Sequence, residues 1–163
     1  MHNLQMQLLE ILREDCRLPL EQMAVMTGST VEAVADAIED MEKRHIILRY
    51  APIINWDLTH RERVEAMIEV RVTPQRDMGF DAVAKRIYKF DEVKSVYLMS
   101  GAYDLMVMCE ARTLKELASF VHSRLSVIEG VRGTSTHFML KTYKYGGVIF
   151  DAGKGDRRQA VMP

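Results

Sequence analysis

Residues 93–109 read VKSVYLMSGAYDLMVMC, two almost unbroken apolar runs separated by Ser100-Gly101-Ala102-Tyr103-Asp104. Apolar runs of this length around a glycine-containing break predict two strands and a tight turn. Val96 and Leu98 then point to one face, and Tyr97 and Met99 to the other. Beyond the turn, Leu105, Val107 and Cys109 oppose Met106 and Met108. Both faces of such a sheet are apolar, so each needs a cover.

The flanking sequence supplies one cover. Ala66, Ile68, Val70 and Val72 alternate with Met67, Glu69, Arg71 and Thr73, which predicts a half-buried strand ended by Pro74. Phe80, Val83, Ala84 and Ile87 follow at helical spacing. Thr113 with Glu116 forms a capping box for a second helix, whose predicted inner face is Leu114, Leu117, Ala118, Val121, Leu125 and Ile128, with Gly130 at its stop. A last strand over roughly 132–142 completes the order β-α-β-β-α-β. FDEVKSV at 90–96 and IEGVRGT at 128–134 echo one another after each helix. A duplicated β-α-β unit is the ferredoxin-like arrangement, with both helices on one sheet face. The open apolar face predicts a second copy of the chain, as a symmetric homodimer.

Upstream, residues 1–50 predict three helices. Leu4, Leu8, Ile11 and Leu12 line the first. Pro19 opens the second, with Leu20, Met23 and Ala24 inward. Gly28 permits a turn, and Ser29 or Thr30 caps the third, whose inner face is Val31, Val34, Ile38 and Met41. This is a helix-turn-helix pattern, which short three-helix bundles share. Ile46–Trp56 reads as strand-like, with Pro52 restricting it to an edge or an irregular extension. The expected class is α+β: a helix-turn-helix, winged-helix-like domain over 1–50, an extended linker over 51–63, the ferredoxin-like domain over 64–145 and a polar tail over 146–163.

Composition narrows the function classes. The chain has 163 residues, 48% of them hydrophobic and 28% charged, and a net charge of −1, so bulk electrostatics recruits neither DNA nor membrane. Cys16 and Cys109 lie far apart in apolar settings, which predicts buried free thiols in a reducing compartment. No Cys/His spacing suits a metal, so neither metal nor cofactor is expected. The opening MHNLQMQLLEILRED is too charged for a signal peptide, and no apolar run reaches a membrane span; a cytoplasmic location is expected. Most of the twelve methionines are read as core and interface filler.

A helix-turn-helix, a short linker and a ferredoxin-like domain with Gly-x-Tyr-Asp between its central strands together resemble the Lrp/AsnC family of transcription regulators. LLEILREDCR at 8–17, MEKRHII at 41–47 and Met99-Ser100-Gly101-Ala102-Tyr103-Asp104 carry the likeness, over roughly residues 4–145. The resemblance implies a DNA-binding head and a C-terminal domain that builds dimers, often octamers. It also implies an amino-acid-like effector near the Gly-x-Tyr-Asp turn, at Met99, Ser100, Gly101, Tyr103 and Asp104, with Thr136 as a matching polar position. Their chemistry agrees: Gly101 admits a ligand to the backbone, Asp104 accepts an ammonium, and Tyr103 offers a flat wall with a hydroxyl. The same residues also fit a plain hairpin, Gly101 turning the chain and Asp104 capping it.

On the head, the resemblance points to Ser29, Thr30, Glu32, Ala33, Asp36 and Ala37, with Lys43 and Arg44 at backbone phosphates; Arg13, Arg17 and Arg49 are further cations. Here the chain departs from the pattern of the family it resembles. Residues 29–42 hold five acids (Glu32, Asp36, Glu39, Asp40 and Glu42) and no base. Residues 1–50 hold five Lys/Arg against nine Asp/Glu, a net of −4. Cations at phosphates supply most sequence-independent affinity for DNA, and acids oppose it. The alternatives are an oligomeric amino-acid sensor with weak or lost DNA binding, and an enzyme resembling the siroheme decarboxylases, which share this scaffold. The Gly-x-Tyr-Asp turn favours the regulator, and the five histidines show no catalytic spacing.

Overall fold

A computed structural model describes residues 3–73 and 79–150. The chain divides into two compact units, Met1–Pro52 and Ile53–Pro163. Pro74, expected to end a strand, and the polar stretch 153–159 lie outside the described residues.

The first unit contains α1 (Asn3–Glu14), α2 (Leu20–Thr27) and α3 (Val31–Lys43). Leu8, Val34 and Met41 are fully buried, Met23 and Ala24 nearly so, and Leu4, Ile11, Leu12, Leu20, Val31 and Ile38 pack around them. The apolar stripes expected from the 3.6-residue period therefore meet in one small core. Met6 and Met26 are exposed and take no part in it. Gly28 ends α2 at φ 65°, its N–H donating to the Ala24 and Val25 carbonyls. Thr30 rather than Ser29 caps α3, accepting from the Ala33 N–H at 3.2 Å. Gln5, polar yet buried, is satisfied by donating to Asp40 at 2.8 Å.

After α3, His45 takes a left-handed conformation at φ 56°, and the Ile46 N–H donates to the Met41 carbonyl at 2.8 Å. That is a Schellman-type stop at which glycine is the usual residue, because a Cβ is strained there. His45→Gly is expected to stabilise the first unit by about 1 kcal/mol, read as a higher denaturant midpoint at unchanged slope. The strand-like reading of Ile46–Trp56 is corrected. Residues 48–55 form no strand, and a 3-10 turn occupies Trp56–Leu58. An extended segment becomes a strand only when a neighbour takes its N–H and C=O groups. Among the described residues none does.

The second unit is built on one antiparallel sheet. Its strands are β1 (Val64–Val72), β2 (Val93–Leu98), β3 (Leu105–Ala111) and β4 (Val131–Phe138), in the order β2-β3-β1-β4. The helices are α4 (Phe80–Ile87) and α5 (Leu114–Phe120), the latter continued by a π turn over Val121–Leu125. Ala66, Ile68, Val70, Leu105, Val107 and Cys109 on the sheet meet Val83, Ile87, Leu117, Phe120 and Leu125 on the helices. The two echoed segments make the same turn: the Val93 N–H donates to the Phe90 carbonyl and the Val131 N–H to the Ile128 carbonyl, each at 3.0 Å. The Thr113 hydroxyl caps α5 by accepting from Glu116 N–H, while the Glu116 carboxylate reaches the N–H of Arg112, one residue before the cap.

Three expectations are corrected here. Leu114 and Ala118 are exposed rather than inward, and Phe120 is buried in their place, edge-on to Phe90 at 5.4 Å. The buried face runs through Leu117, Phe120, Val121 and Leu125, which leaves Ala118 on its flank, and Leu114 stands at the exposed first position of the helix. Strand β4 stops at Phe138, short of 142. The chain then forms a hairpin, β5 (Lys144–Tyr145) with β6 (Val148–Ile149), turning through Gly146 and Gly147 at φ 55° and 87°. Cys16 is half-buried, not buried as expected, whereas Cys109 is buried, which pushes its thiol up to about 12. Near neutral pH an alkylating reagent is expected to label Cys16 alone, and Cys109 only after denaturation, as mass spectrometry of the intact chain will show.

The face away from the helices is mixed. Tyr97, Met106 and Met108, with Met67, form an apolar stripe, and the cross-strand register sets Glu69, Ser135 and His137 beside it. His137 lies 3.2 Å from Glu69, and Arg61 and Arg63 pair with Glu110 at 3.2 and 3.1 Å. Alternation brings Glu69 of β1 and Glu110 of β3 to the open face, so its apolar area is narrower than the apolar residues of the central hairpin alone imply.

Candidate functional site

The turn from Met99 to Asp104 is held at its base. The Met99 N–H donates to the Asp104 carbonyl at 2.8 Å, and the Asp104 N–H to the Val70 carbonyl at 3.1 Å. The Asp104 carboxylate accepts from the Val72 N–H at 2.7 Å. That last bond has a local cause: β3 pairs with β1 only as far as Leu105, opposite Val70, so the Val72 N–H on that edge has no ladder acceptor, and Asp104 supplies one. The pairing of β1 with β4 shifts between Arg71 and Val72: Arg71 faces Gly133, Val72 faces Val131, and Arg132 has no cross-strand partner. A bulge of this kind breaks the ladder and re-aims a side chain. The bulge lies on the β4 edge of β1, and Asp104 on its β3 edge.

Beside the bulge lies a cavity of about 420 Å³ lined by Arg71, Val72, Ala102, Asp104, Arg132 and Gly133. A smaller one, about 180 Å³, adjoins it through Arg71 and Gly133 and extends to Glu69, Thr134 and Ser135. Gly133 leaves open space where a Cβ would stand, so a notch runs beside Arg71. Both arginines are exposed, and neither has an ion-pair partner among the described residues.

Of the residues expected at an effector site, only Asp104 lines this cavity. Met99, Ser100, Gly101 and Tyr103 belong to the adjoining turn. Gly101 is not in a left-handed conformation, and a Cβ added there would meet nothing within 4 Å, so the turn itself does not require glycine. Thr136 faces Ile68, on the helix-covered side of the sheet, away from the cavity. The periodicity of the sequence does not mark Arg71, Arg132 and Gly133 as site residues. A lone glycine in a strand beside a base is the signal it does carry.

On the first unit, Thr30, Glu32, Ala33 and Asp36 are exposed along the first turns of α3. Ser29 is half-buried and Ala37 packs against the core. Lys43 and Arg44 are exposed but engaged, Lys43 with Glu39 at 2.6 Å and Arg44 with Asp40 at 2.9 Å. The Arg44 hydrogen bond holds the Asp40 carboxyl below its ordinary value, and the Glu39 bond raises Lys43. Glu42 accepts from the Tyr50 hydroxyl at 2.8 Å; burial, then this bond, pushes Tyr50 up to about 12. Three of the five acids thus have partners on their own unit.

The Lrp/AsnC ligand binding domain matches residues 65–149. The HTH-type transcriptional regulator YugG of Bacillus subtilis is 46% identical over 158 residues, 96% of this chain and 95% of its own. The HTH-type transcriptional regulator FL11 of Pyrococcus furiosus is 27% identical over 137 residues, 84% of this chain and 87% of its own. The solved L-Met complex of the regulator NMB0573 from Neisseria meningitidis shares the fold, with a TM-score of 0.72 at 20% identity over 89% of this chain and 93% of that one. These relatives define a class, helix-turn-helix transcriptional regulators with an effector-type C-terminal domain. The chain belongs to the Lrp/AsnC family. Its relatives are named as regulators and not as enzymes, which sets the decarboxylase reading aside. No helix among the described residues is long and apolar enough to cross a membrane.

Proposed function

We propose that this regulator senses an amino acid at the turn between β2 and β3 and passes the signal to a DNA-binding head through a homodimer or larger ring. The cavity beside that turn carries the reading. It has the size of a small-ligand site, one carboxylate in its wall and backbone at its rim. The half-exposed stripe of Met67, Tyr97, Met106 and Met108 supports a face-to-face dimer. Met106→Glu is expected to shift the assembly toward monomer, read by sedimentation velocity. The head uses Thr30, Glu32, Ala33 and Asp36 at the DNA, and Lys43 and Arg44 swing from their exposed acid partners to phosphates. A regulator of this kind works in the cytoplasm, where its DNA lies.

The test is binding to the DNA upstream of its own gene across a salt series, with each of the twenty amino acids in turn. Salt-sensitive, sequence-selective binding that one amino acid modulates supports the proposal. Amino-acid binding without DNA binding at any salt supports the second reading, a sensor only, which the internally paired bases of α3 favour. Gly133→Ala separates fold from site. Gly133 lines the cavity and a Cβ there meets nothing within 4 Å, so the substitution is expected to leave stability within about 0.5 kcal/mol while weakening the amino acid, since it fills space a ligand would use.

A further inference from the structure

The walls of the larger cavity carry more positive than negative charge. Arg71 comes from β1 and Arg132 from β4, and both line one cavity beside the bulge that leaves Arg132 unpaired. Neither has an ion-pair partner among the described residues, and the one carboxylate there, Asp104, already accepts the Val72 N–H through Oδ2. Glu69, on the adjoining cavity, lies against His137 at 3.2 Å. Two cations face one anion. A neutral amino acid, which brings one charge of each sign, leaves that excess standing.

We propose that the effector is a dicarboxylic amino acid of the aspartate or glutamate class, and that Arg71 and Arg132 determine this specificity. Such a ligand carries two carboxylates and one ammonium, the complement of two guanidiniums and one carboxylate. Arginine's planar fork suits carboxylates in particular, since it donates two parallel N–H bonds. The notch left by Gly133 lets a ligand carboxylate lie flat beside Arg71. The free oxygen of Asp104 takes the ammonium while the other keeps its hold on Val72. This inference rests on the effector reading of the turn.

The test is calorimetric titration of the full-length protein with L-aspartate, L-glutamate, L-asparagine, L-glutamine, L-leucine, L-methionine and glutarate, then with Arg71→Gln and Arg132→Gln. One of the two acidic amino acids is expected to bind about 10- to 100-fold more tightly than its amide, and each substitution to erase that margin. Both arginines are exposed, so melting temperatures of the unliganded variants should match the parent. Charge-conserving Arg71→Lys should restore part of the margin where Arg71→Gln does not. Amides binding as well as acids, or acids binding unchanged to both Gln variants, overturn the specificity while leaving an effector site standing. Glutarate binding as well as glutamate removes the ammonium from Asp104 and overturns the amino-acid class. Should none of the seven bind while another of the twenty amino acids does, the inference falls and the effector reading stands; should none of the twenty bind, both fall.

Discussion

Leu8→Ala is expected to leave the helical unit largely unfolded. Leu8 is fully buried, one of only five buried apolar residues that α1, α2 and α3 share. Truncating such a leucine costs about 2–5 kcal/mol, from lost transfer energy and the cavity left behind. A unit of some 50 residues holds roughly 3–8 kcal/mol in total, at about 0.05–0.15 per residue. The loss is therefore comparable with the whole. Rapid hydrogen exchange across α1–α3, with β1 and β3 still protected, is the expected pattern, together with loss of DNA binding and retention of effector binding. A head that keeps its protection would mean that it repacks around the missing side chain.

Asp104→Ala is expected to lower the stability of the second unit by about 1–3 kcal/mol, because a partly buried N–H of Val72 loses its charged acceptor. Asp104→Asn keeps an oxygen in place and should recover part of that loss. Faster exchange at Val72, and little change at Ile68 in the strand's middle, would localise the effect. Effector binding should fail in both variants, since neither offers a carboxylate to an ammonium. An alanine variant that melts with the parent would show that water serves Val72 equally well.

The elements legible in the sequence are those with an uninterrupted period. The strand alternation of 66–73 and the stripes of α1 to α3 follow directly from the spacing of Leu8, Val34, Met41, Ile68 and Val70. Elsewhere the period misleads. Leu114 stands at the exposed first position of α5 and Ala118 on the flank of a face centred on Leu117, Phe120 and Val121, and the hairpin at 144–149 has too few residues for alternation to register. The site is half legible for a related reason. Asp104 stands out in the turn, but Arg71 and Arg132 meet it only beside a bulge in a pairing between residues some sixty positions apart. The acidic run of α3 is plain in the sequence, whereas the pairing of Glu39, Asp40 and Glu42 with their neighbours depends on side-chain placement that spacing alone does not fix.

The order β2-β3-β1-β4 interlocks the two β-α-β halves of the second unit. The strands of the first half, β1 and β2, are not neighbours; β3 lies between them, and β1 in turn separates β3 from β4. Neither half owns a complete ladder, so neither is a sheet without the other. The cavity sits across this seam, with Arg71 from the first half, Arg132 from the second, and Ala102 on the segment that joins them. A ligand held there clasps both halves at once. Under the proposed effector role, occupancy is expected to slow hydrogen exchange in both halves together, as far as β2 at the edge of the sheet.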